Sequence, residues 1–340
     1  MNQPHGALSS SLPSVFRAIR VAESDGRAMG AIVDTTLDAL DPGDVVIRTA
    51  YSGINYKDAL AVTGSAPIIR RLPCIAGIEA VGTVVHADDT SVRVGANVIV
   101  HGFGLGVDHD GGFAPYVRVP AAWVIPLPDS LTLFEAATIG VAGCTAALAI
   151  HRMEHNGLAP GQGPVIVTGA TGGVASLGIA MLAAAGYEVA AITGKRDAEP
   201  YLRALGASTV LPRSDVEAGG KPLRRGQWAG ALDSVGGDTL AWLLSTMRDN
   251  APIAAFGNAG GATFAGNVLP FILRGVQLLG INANSPMPLR RAVWARIAND
   301  LRPRHVEAIG KAIAFDDVPA VCARQMKGDI RGRSVVDFSR

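Results

Sequence analysis

The segment Val165-Ile-Val-Thr-Gly169-Ala-Thr-Gly172-Gly173-Val-Ala175 decides how this chain reads. Pro164 to Thr168 is a short β-branched run of the kind that forms a buried strand. The glycines after it permit a tight turn, and Val174 to Ala185 has the composition of a helix. Such a turn lets the backbone approach a pyrophosphate. The helix start then offers it free N–H groups and the positive end of the helix dipole. Gly169, Gly172 and Ala175 fall at GxxGxxA spacing, which departs from the GxGxxG fingerprint. An ordinary strand-to-helix turn would also use these glycines. The ordered succession of strand, turn, helix and second strand favours a dinucleotide site with Thr168, Gly169, Thr171, Gly172, Gly173 and Val174 as contacts.

The second strand, Tyr187 to Thr193, selects between the two nicotinamide cofactors. An NAD site places an acidic residue at the end of this strand, on the ribose 2′-OH. Here the end reads Thr193-Gly194-Lys195-Arg196, and Glu188 stands at the opposite end of the strand. Thr193 can donate a hydrogen bond, and Lys195 and Arg196 can neutralise a 2′-phosphate. The reading is therefore NADPH, against the alternative of a solvated Lys-Arg pair opening a helix. Asp233, at the end of a later strand, falls where such strands meet a cofactor, or else only shapes the turn. Gly257 and Asn258, beyond the Ala251–Phe256 strand, complete the predicted contacts.

Working outward, strands and helices alternate through Ala251–Phe256 and Gln277–Ile281, the pattern of right-handed βαβ units on a parallel sheet. Residues 15 to 137 read differently. Asp44–Tyr51, Gly77–Val85, Gly95–His101 and Phe113–Val119 are short Val-rich runs bounded by Gly, Pro and Asp, as in a barrel-like β domain. Thr132 and Glu135 form a helix-start signature ahead of an Ala-rich helix. After a helix over Pro288–Leu301, the strand-like run Gly332–Phe338 is expected to return to the β domain. The expected domains are 1–137 with 286–340, and 138–285. The first dozen residues read as a frayed tail.

Composition narrows the classes of function. The chain has 340 residues, enough for about two domains. With 49% apolar and 17% charged residues it is not a disordered sequence. Thirty Lys and Arg against 29 Asp and Glu leave a net charge of +1, which argues against nucleic acid and anionic membrane as partners. Cys74, Cys144 and Cys322 are spaced neither as a disulfide framework nor as a zinc knuckle, and suit a reducing cytoplasmic compartment. No secretory signal is read, and no run reaches the roughly 18 uninterrupted apolar residues of a membrane span.

Several further segments carry a resemblance. Ser52-Gly-Ile-Asn-Tyr-Lys-Asp58, Gly77-Ile-Glu-Ala-Val-Gly82, Ala231-Leu-Asp-Ser-Val-Gly-Gly237 and Gly332-Arg-Ser-Val-Val-Asp337 resemble the quinone oxidoreductase branch of the medium-chain dehydrogenase/reductase superfamily. Asn55–Gly64, Gly106–Gly112, Gln227–Gly236 and Leu269–Gly275 are similar to the acrylyl-CoA reductase family. The match runs from about residue 15 to the C-terminus.

The resemblance implies an α/β chain with a β-rich GroES-like barrel catalytic domain and a Rossmann-type dinucleotide-binding domain. It implies NADPH-dependent reduction of an enoyl thioester, acrylyl-CoA to propanoyl-CoA. The zinc ligands of alcohol dehydrogenases in the superfamily correspond to Asn55, Ile78 and Val141, none of which replaces a thiolate or imidazole, so no metal is expected. Glu79, in the same region, reads as structural.

Asn55, Tyr56 and Asp58 are the catalytic candidates: Asn55 as a donor to a developing enolate oxygen, Tyr56 as a proton source, and Asp58 as an orienting group. Turn architecture is the alternative for all three. Arg70, Arg71, His109, Arg274 and Arg331 are the substrate-binding candidates, since a CoA site should be basic; the Arg290-Arg291 pair and Arg333 are considered with them. A homodimer through the edge of the dinucleotide sheet is carried over from the superfamily, and the apolar Val268–Ile281 segment is compatible with it. A quinone or small-enone reductase and a non-catalytic NADPH-binding sensor stay open as other readings.

Overall fold

Residues that alternate between a buried and a solvated face build the first part of the chain into sheets. The structure, a computed structural model, describes residues 13–24, 26–217 and 219–340. The expected N-terminal tail lies outside the described residues. In chain order come β1 (Phe16–Ser24), β2 (Arg27–Thr35), β3 (Val45–Gly53), α1 (Tyr56–Val62), β4 (Cys74–Ile75), β5 (Glu79–Ala87), β6 (Asn97–His101), β7 (Tyr116–Val119) and β8 (Ile125–Pro126). The long helix α2 (Leu133–His155) follows. It breaks at Gly140, where φ is 46° and ψ −150°.

Then come β9 (Val165–Val167), α3 (Gly173–Ala184), β10 (Val189–Thr193), α4 (Glu199–Ala204), β11 (Thr209–Pro212), β12 (Gly230–Asp233), α5 (Gly237–Thr246), β13 (Pro252–Ala255), α6 (Leu269–Arg274), β14 (Gln277–Gly280), α7 (Met287–Ile297) and α8 (Val306–Ile309). β15 (Gly310–Ala314), α9 (Val318–Met326) and β16 (Arg333–Asp337) complete the chain.

Two compact units result: residues up to Val141 with Gly310–Arg340, and Ala142–Ile309. The sequence placed the return near 286; in the structure it falls at 310. The reason is α7, which belongs to the second unit. Its Arg290 is fully buried and donates from Nε to the Ser285 carbonyl at 2.6 Å, and its Arg296 pairs with Glu154 of α2 at 2.5 Å.

In the first unit, β16 lies antiparallel to β3, with Val336 opposite Ser52, and parallel to β15. The returning strand therefore joins the sheet β15-β16-β3-β5-β6-β8, with β7 also on β3; β2-β1-β4 form a smaller sheet. Ile47, Val84, Val98, Val100 and Val117 fill one core of this unit, and Ile19, Ile54, Phe113, Val318 and Val336 another.

The second unit is a six-stranded sheet in the order β11-β10-β9-β12-β13-β14, with every pairing parallel. Chain order reverses between β9 and β12. In open α/β sheets, ligands bind at such a switch point, beyond the carboxyl ends of the strands. By length and composition α2 could span a bilayer, but 78% of its apolar window is buried inside the protein, as for a core helix.

Candidate cofactor and active sites

The turn after β9 sits at the switch point. Gly169 has φ +58°, which only glycine adopts without strain. A side chain there would clash with the Ser234 hydroxyl. Gly172 caps α3 in extended conformation, and the first N–H groups of that helix have no partner within it. A cleft of about 370 Å³ opens here, and Thr168, Gly169, Thr171, Ile192, Thr193, Lys195, Arg213 and Gly260 are among its lining residues. A second hollow of about 640 Å³ shares Thr193, Gly194, Lys195 and Arg213, and adds Arg196 and Glu199. The turn, the helix start and the cations at the far end fit a phosphorylated dinucleotide.

Thr193 Oγ1 accepts the Lys195 N–H at 3.1 Å and so shapes the end of β10. Glu188 precedes β10, at the other end of the sheet. Gly257 packs against the Ser234 backbone, and Asn258 follows it on the exposed side. It is the next residues, Ala259 and Gly260, that line the cleft.

Asp233 does not reach out to a ligand. It is fully buried, accepts from the Thr168 hydroxyl at 2.7 Å, and accepts the N–H groups of Val235 and Gly236 at 3.2 and 3.0 Å. Burial pushes its carboxyl up, against these donors. Ser234 closes the arrangement: its N–H donates to Thr168 Oγ1 and its hydroxyl to the Thr168 carbonyl. Thr168 and Asp233 therefore tie the end of β9 to the end of β12, and the turn-shaping alternative is the one observed.

In the first unit, the Asn55 segment is a helix start rather than a simple turn. Asn55 is the cap of α1, and its N–H donates to Asp58 Oδ2 at 2.8 Å. Asp58 Oδ1 accepts the Ile78 N–H at 3.0 Å, which fixes α1 to the turn before β5. Tyr56, the first helical residue, is 48% exposed, whereas Asn55 is 9% exposed, so the two side chains diverge.

The residue that sequence reasoning misplaced is Arg333. It is no candidate for CoA, because it is 3% exposed and every nitrogen is engaged. Nη2 pairs with Glu79, Nη1 donates to Asn55 Oδ1 at 2.7 Å and to the Ile54 carbonyl at 3.0 Å, and Nε donates to the Thr138 carbonyl at 3.1 Å. The second Glu79 oxygen accepts the Val141 N–H, just past the break at Gly140. Asn55 is thereby held with its carbonyl oxygen on Arg333 and its Nδ2 3.3 Å from the Gly53 carbonyl. An amide nitrogen carries two donors, so one remains.

Burial pushes the Asp58 carboxyl up to about 7; nearby Glu79 adds to this, and the two N–H donors oppose it. Because the folded value lies above the ordinary 3.8, the native chain holds this proton more tightly than the unfolded one. The resulting stabilisation is complete below about pH 4 and is lost as pH rises through about 7. The Tm of wild type should fall, relative to that of Asp58→Asn, between roughly pH 4 and 7. A Tm difference that stays constant across this range would refute the assignment.

The proposed substrate groups are scattered. Arg70 pairs with Asp108. Arg71 pairs with Asp41 and donates to the Asp108 carbonyl at 2.8 Å, so together they latch the 102–112 loop. His109 stands within that latch, with ring nitrogens 3.1 and 3.2 Å from the carbonyls of Asp110 and Pro42 and its ring edge-on to Trp123. It braces the loop. Arg274 belongs to the second unit and is spent on the carbonyls of Ser245, Met247 and Arg224, so it is structural. Arg290 is buried, as described, while Arg331 is exposed. Among the described residues no three His, Cys, Asp or Glu side chains gather as a metal site.

A Rossmann unit with its turn at the switch point, preceded by a β-rich unit, defines a class of nicotinamide-dependent oxidoreductases. Comparison with known proteins agrees. Residues 41–129 match the alcohol dehydrogenase GroES-like domain. The chain is 41% identical to acrylyl-CoA reductase AcuI of Ruegeria pomeroyi over 93% of its own length and 97% of that protein. The Salmonella enterica YhdH oxidoreductase, solved with NADP, superposes with a TM-score of 0.91 at 37% identity, covering 95% of this chain and 99% of that one. YhfP of Bacillus subtilis, solved with NAD, gives 0.92 at 42% identity, covering 96% and 100%. The chain belongs to the medium-chain dehydrogenase/reductase superfamily and, within it, to the acrylyl-CoA reductase family.

Proposed function

We propose that this protein reduces the carbon–carbon double bond of an enoyl thioester with NADPH, converting acrylyl-CoA to propanoyl-CoA. The likeness to AcuI across nearly the whole of both chains supports the substrate class. One structural observation carries the cofactor: the cleft at the switch point ends in Thr193, Lys195 and Arg213, with no carboxylate at the end of β10. When bound, NADPH supplies a hydride for the β-carbon. Gly169, Thr171 and the start of α3 would hold its pyrophosphate, and the cations at the end of β10 would neutralise its 2′-phosphate.

Reduction of a conjugated thioester builds charge on the thioester oxygen, and a preorganised donor there lowers the barrier by roughly 3 kcal/mol. The remaining Asn55 N–H is such a donor, held in orientation by Arg333. The exposed Tyr56 hydroxyl, or water, gives the α-carbon its proton. Conjugation makes a Lewis acid unnecessary. Of the basic candidates, Arg70, Arg71 and Arg331 keep an exposed position from which to meet CoA.

The enzyme should show a higher kcat/KM with NADPH than with NADH, measured in steady state. A preference for NADH, in keeping with the NAD in YhfP, would overturn the cofactor assignment. The quinone or enone reading uses the same scaffold and is separated by substrate: it predicts turnover of alkenes that lack CoA. The sensor reading predicts cofactor binding without turnover of any activated alkene.

The functional form is proposed to be a homodimer in the cytoplasm. The three cysteines are buried and form no disulfide, which suits a reducing compartment. β14 is one edge of the parallel sheet, and just before it in the chain Val268, Ile272 and Leu273 are 63%, 70% and 61% exposed. Open edges flanked by apolar side chains invite pairing with a second chain. Light scattering should find a dimer for wild type and a monomer for the double variant Ile272→Glu with Leu278→Glu. A dimeric variant would rule this surface out.

A further inference from the structure

We propose that Arg213, rather than the Lys195-Arg196 pair by itself, is the principal determinant of 2′-phosphate selectivity. This rests on the NADPH reading and adds a residue that no pattern after β10 reveals. β10 and β11 pair in parallel, with Thr193 opposite Pro212. Arg213 therefore begins the turn one residue beyond β11, level with Gly194. Its Cβ and Cδ lie 3.8 and 3.6 Å from where a Cβ on Gly194 would stand, so the aliphatic stem lies over that backbone.

Arg213 lines both the 370 Å³ cleft and the 640 Å³ hollow, as do Thr193, Gly194 and Lys195. Arg196 lines only the outer one. A 2′-phosphate on an adenosine seated in the inner cleft would project where the two meet. The Arg213 guanidinium is exposed and makes no hydrogen bond or ion pair with the described residues. Neighbouring arginines differ: Arg203 pairs with Glu199, and Arg224 with Glu217. Glu199, the acid lining the outer hollow, is thus already neutralised by Arg203 at 2.8 Å. A planar guanidinium can take a phosphate through two parallel N–H donors, which a lysine ammonium cannot.

The test compares Arg213→Ala and Arg213→Lys with wild type, using NADPH and NADH. Arg213→Ala should raise the KM for NADPH by roughly 10- to 100-fold, the order expected for loss of a hydrogen bond to a charged group. Its kcat, and its KM for NADH, should stay within about twofold of wild type. Arg213→Lys should recover part of the loss. Adenosine 2′,5′-bisphosphate, as a competitive inhibitor against NADPH, should weaken with Arg213→Ala by a similar factor, and AMP should not. An unchanged KM for NADPH in a variant with wild-type Tm would overturn the role of Arg213 alone. Wild type preferring NADH would instead defeat the NADPH reading on which it rests.

Discussion

Arg333→Ala should destabilise the first unit by about 3–5 kcal/mol, the cost of leaving a buried charge without its partner. Glu79 is 1% exposed, and its carboxylate faces Arg333 on one side and the Val141 N–H on the other. Without the guanidinium, Glu79 must either stay ionised in a dry interior or take up a proton. The carbonyls of Ile54 and Thr138 and the Asn55 Oδ1 lose their donors at the same time. Urea denaturation monitored by circular dichroism measures the loss.

The double variant Glu79→Leu with Arg333→Met separates the two parts of this effect. Replacing a whole buried pair with apolar groups is often close to neutral for stability. The double variant should therefore recover much of the lost stability while leaving Asn55 unheld and the kcat low. If Arg333→Ala unfolds within about 1 kcal/mol of wild type, the buried pair does not hold this unit together.

Gly169→Ala should raise the KM for NADPH at least tenfold with little change in the affinity for substrate. A left-handed conformation costs an alanine roughly 1–2 kcal/mol. The added Cβ also meets the Ser234 hydroxyl, which is anchored on the Thr168 carbonyl at 2.9 Å. Thr168 is tied in turn to Asp233, so the strain cannot be relieved by moving Ser234 alone. The turn itself must shift, and it is the turn proposed to hold the pyrophosphate. A KM for NADPH within about twofold of wild type would show that the turn does not contact the cofactor.

Much of this was legible in the chain because its signals are local. The strand, glycine turn and helix of the cofactor unit lie within 21 consecutive residues, Pro164 to Ala184. Alternation of strand and helix then dictated a parallel sheet, and β16 returned to the first unit as its composition implied. Asn55 and Asp58 carried a local signal that was read otherwise. Their spacing is that of a capping box, which marks a helix start, but Asn and Asp serve Asx-turns equally well, and the two are not separated by local sequence.

Non-local partners were not legible. Arg333 reads as a basic contact for CoA until Glu79, 254 residues earlier, is placed beside it. Arg274 reads as a basic contact, although it holds three backbone carbonyls that no pattern predicts. Arg213 follows from strand register alone: two parallel strands end side by side, and the second one delivers a cation to the site of the first.

The central claim is that an enoyl thioester is reduced at the expense of NADPH. It is tested most directly by following NADPH oxidation at 340 nm by the purified, metal-free protein, with acrylyl-CoA and with a simple enone or quinone in parallel. Strong turnover of acrylyl-CoA and weak turnover of the enone and quinone is the predicted result. Strong turnover of the enone or quinone with no gain from the CoA ester would contradict it.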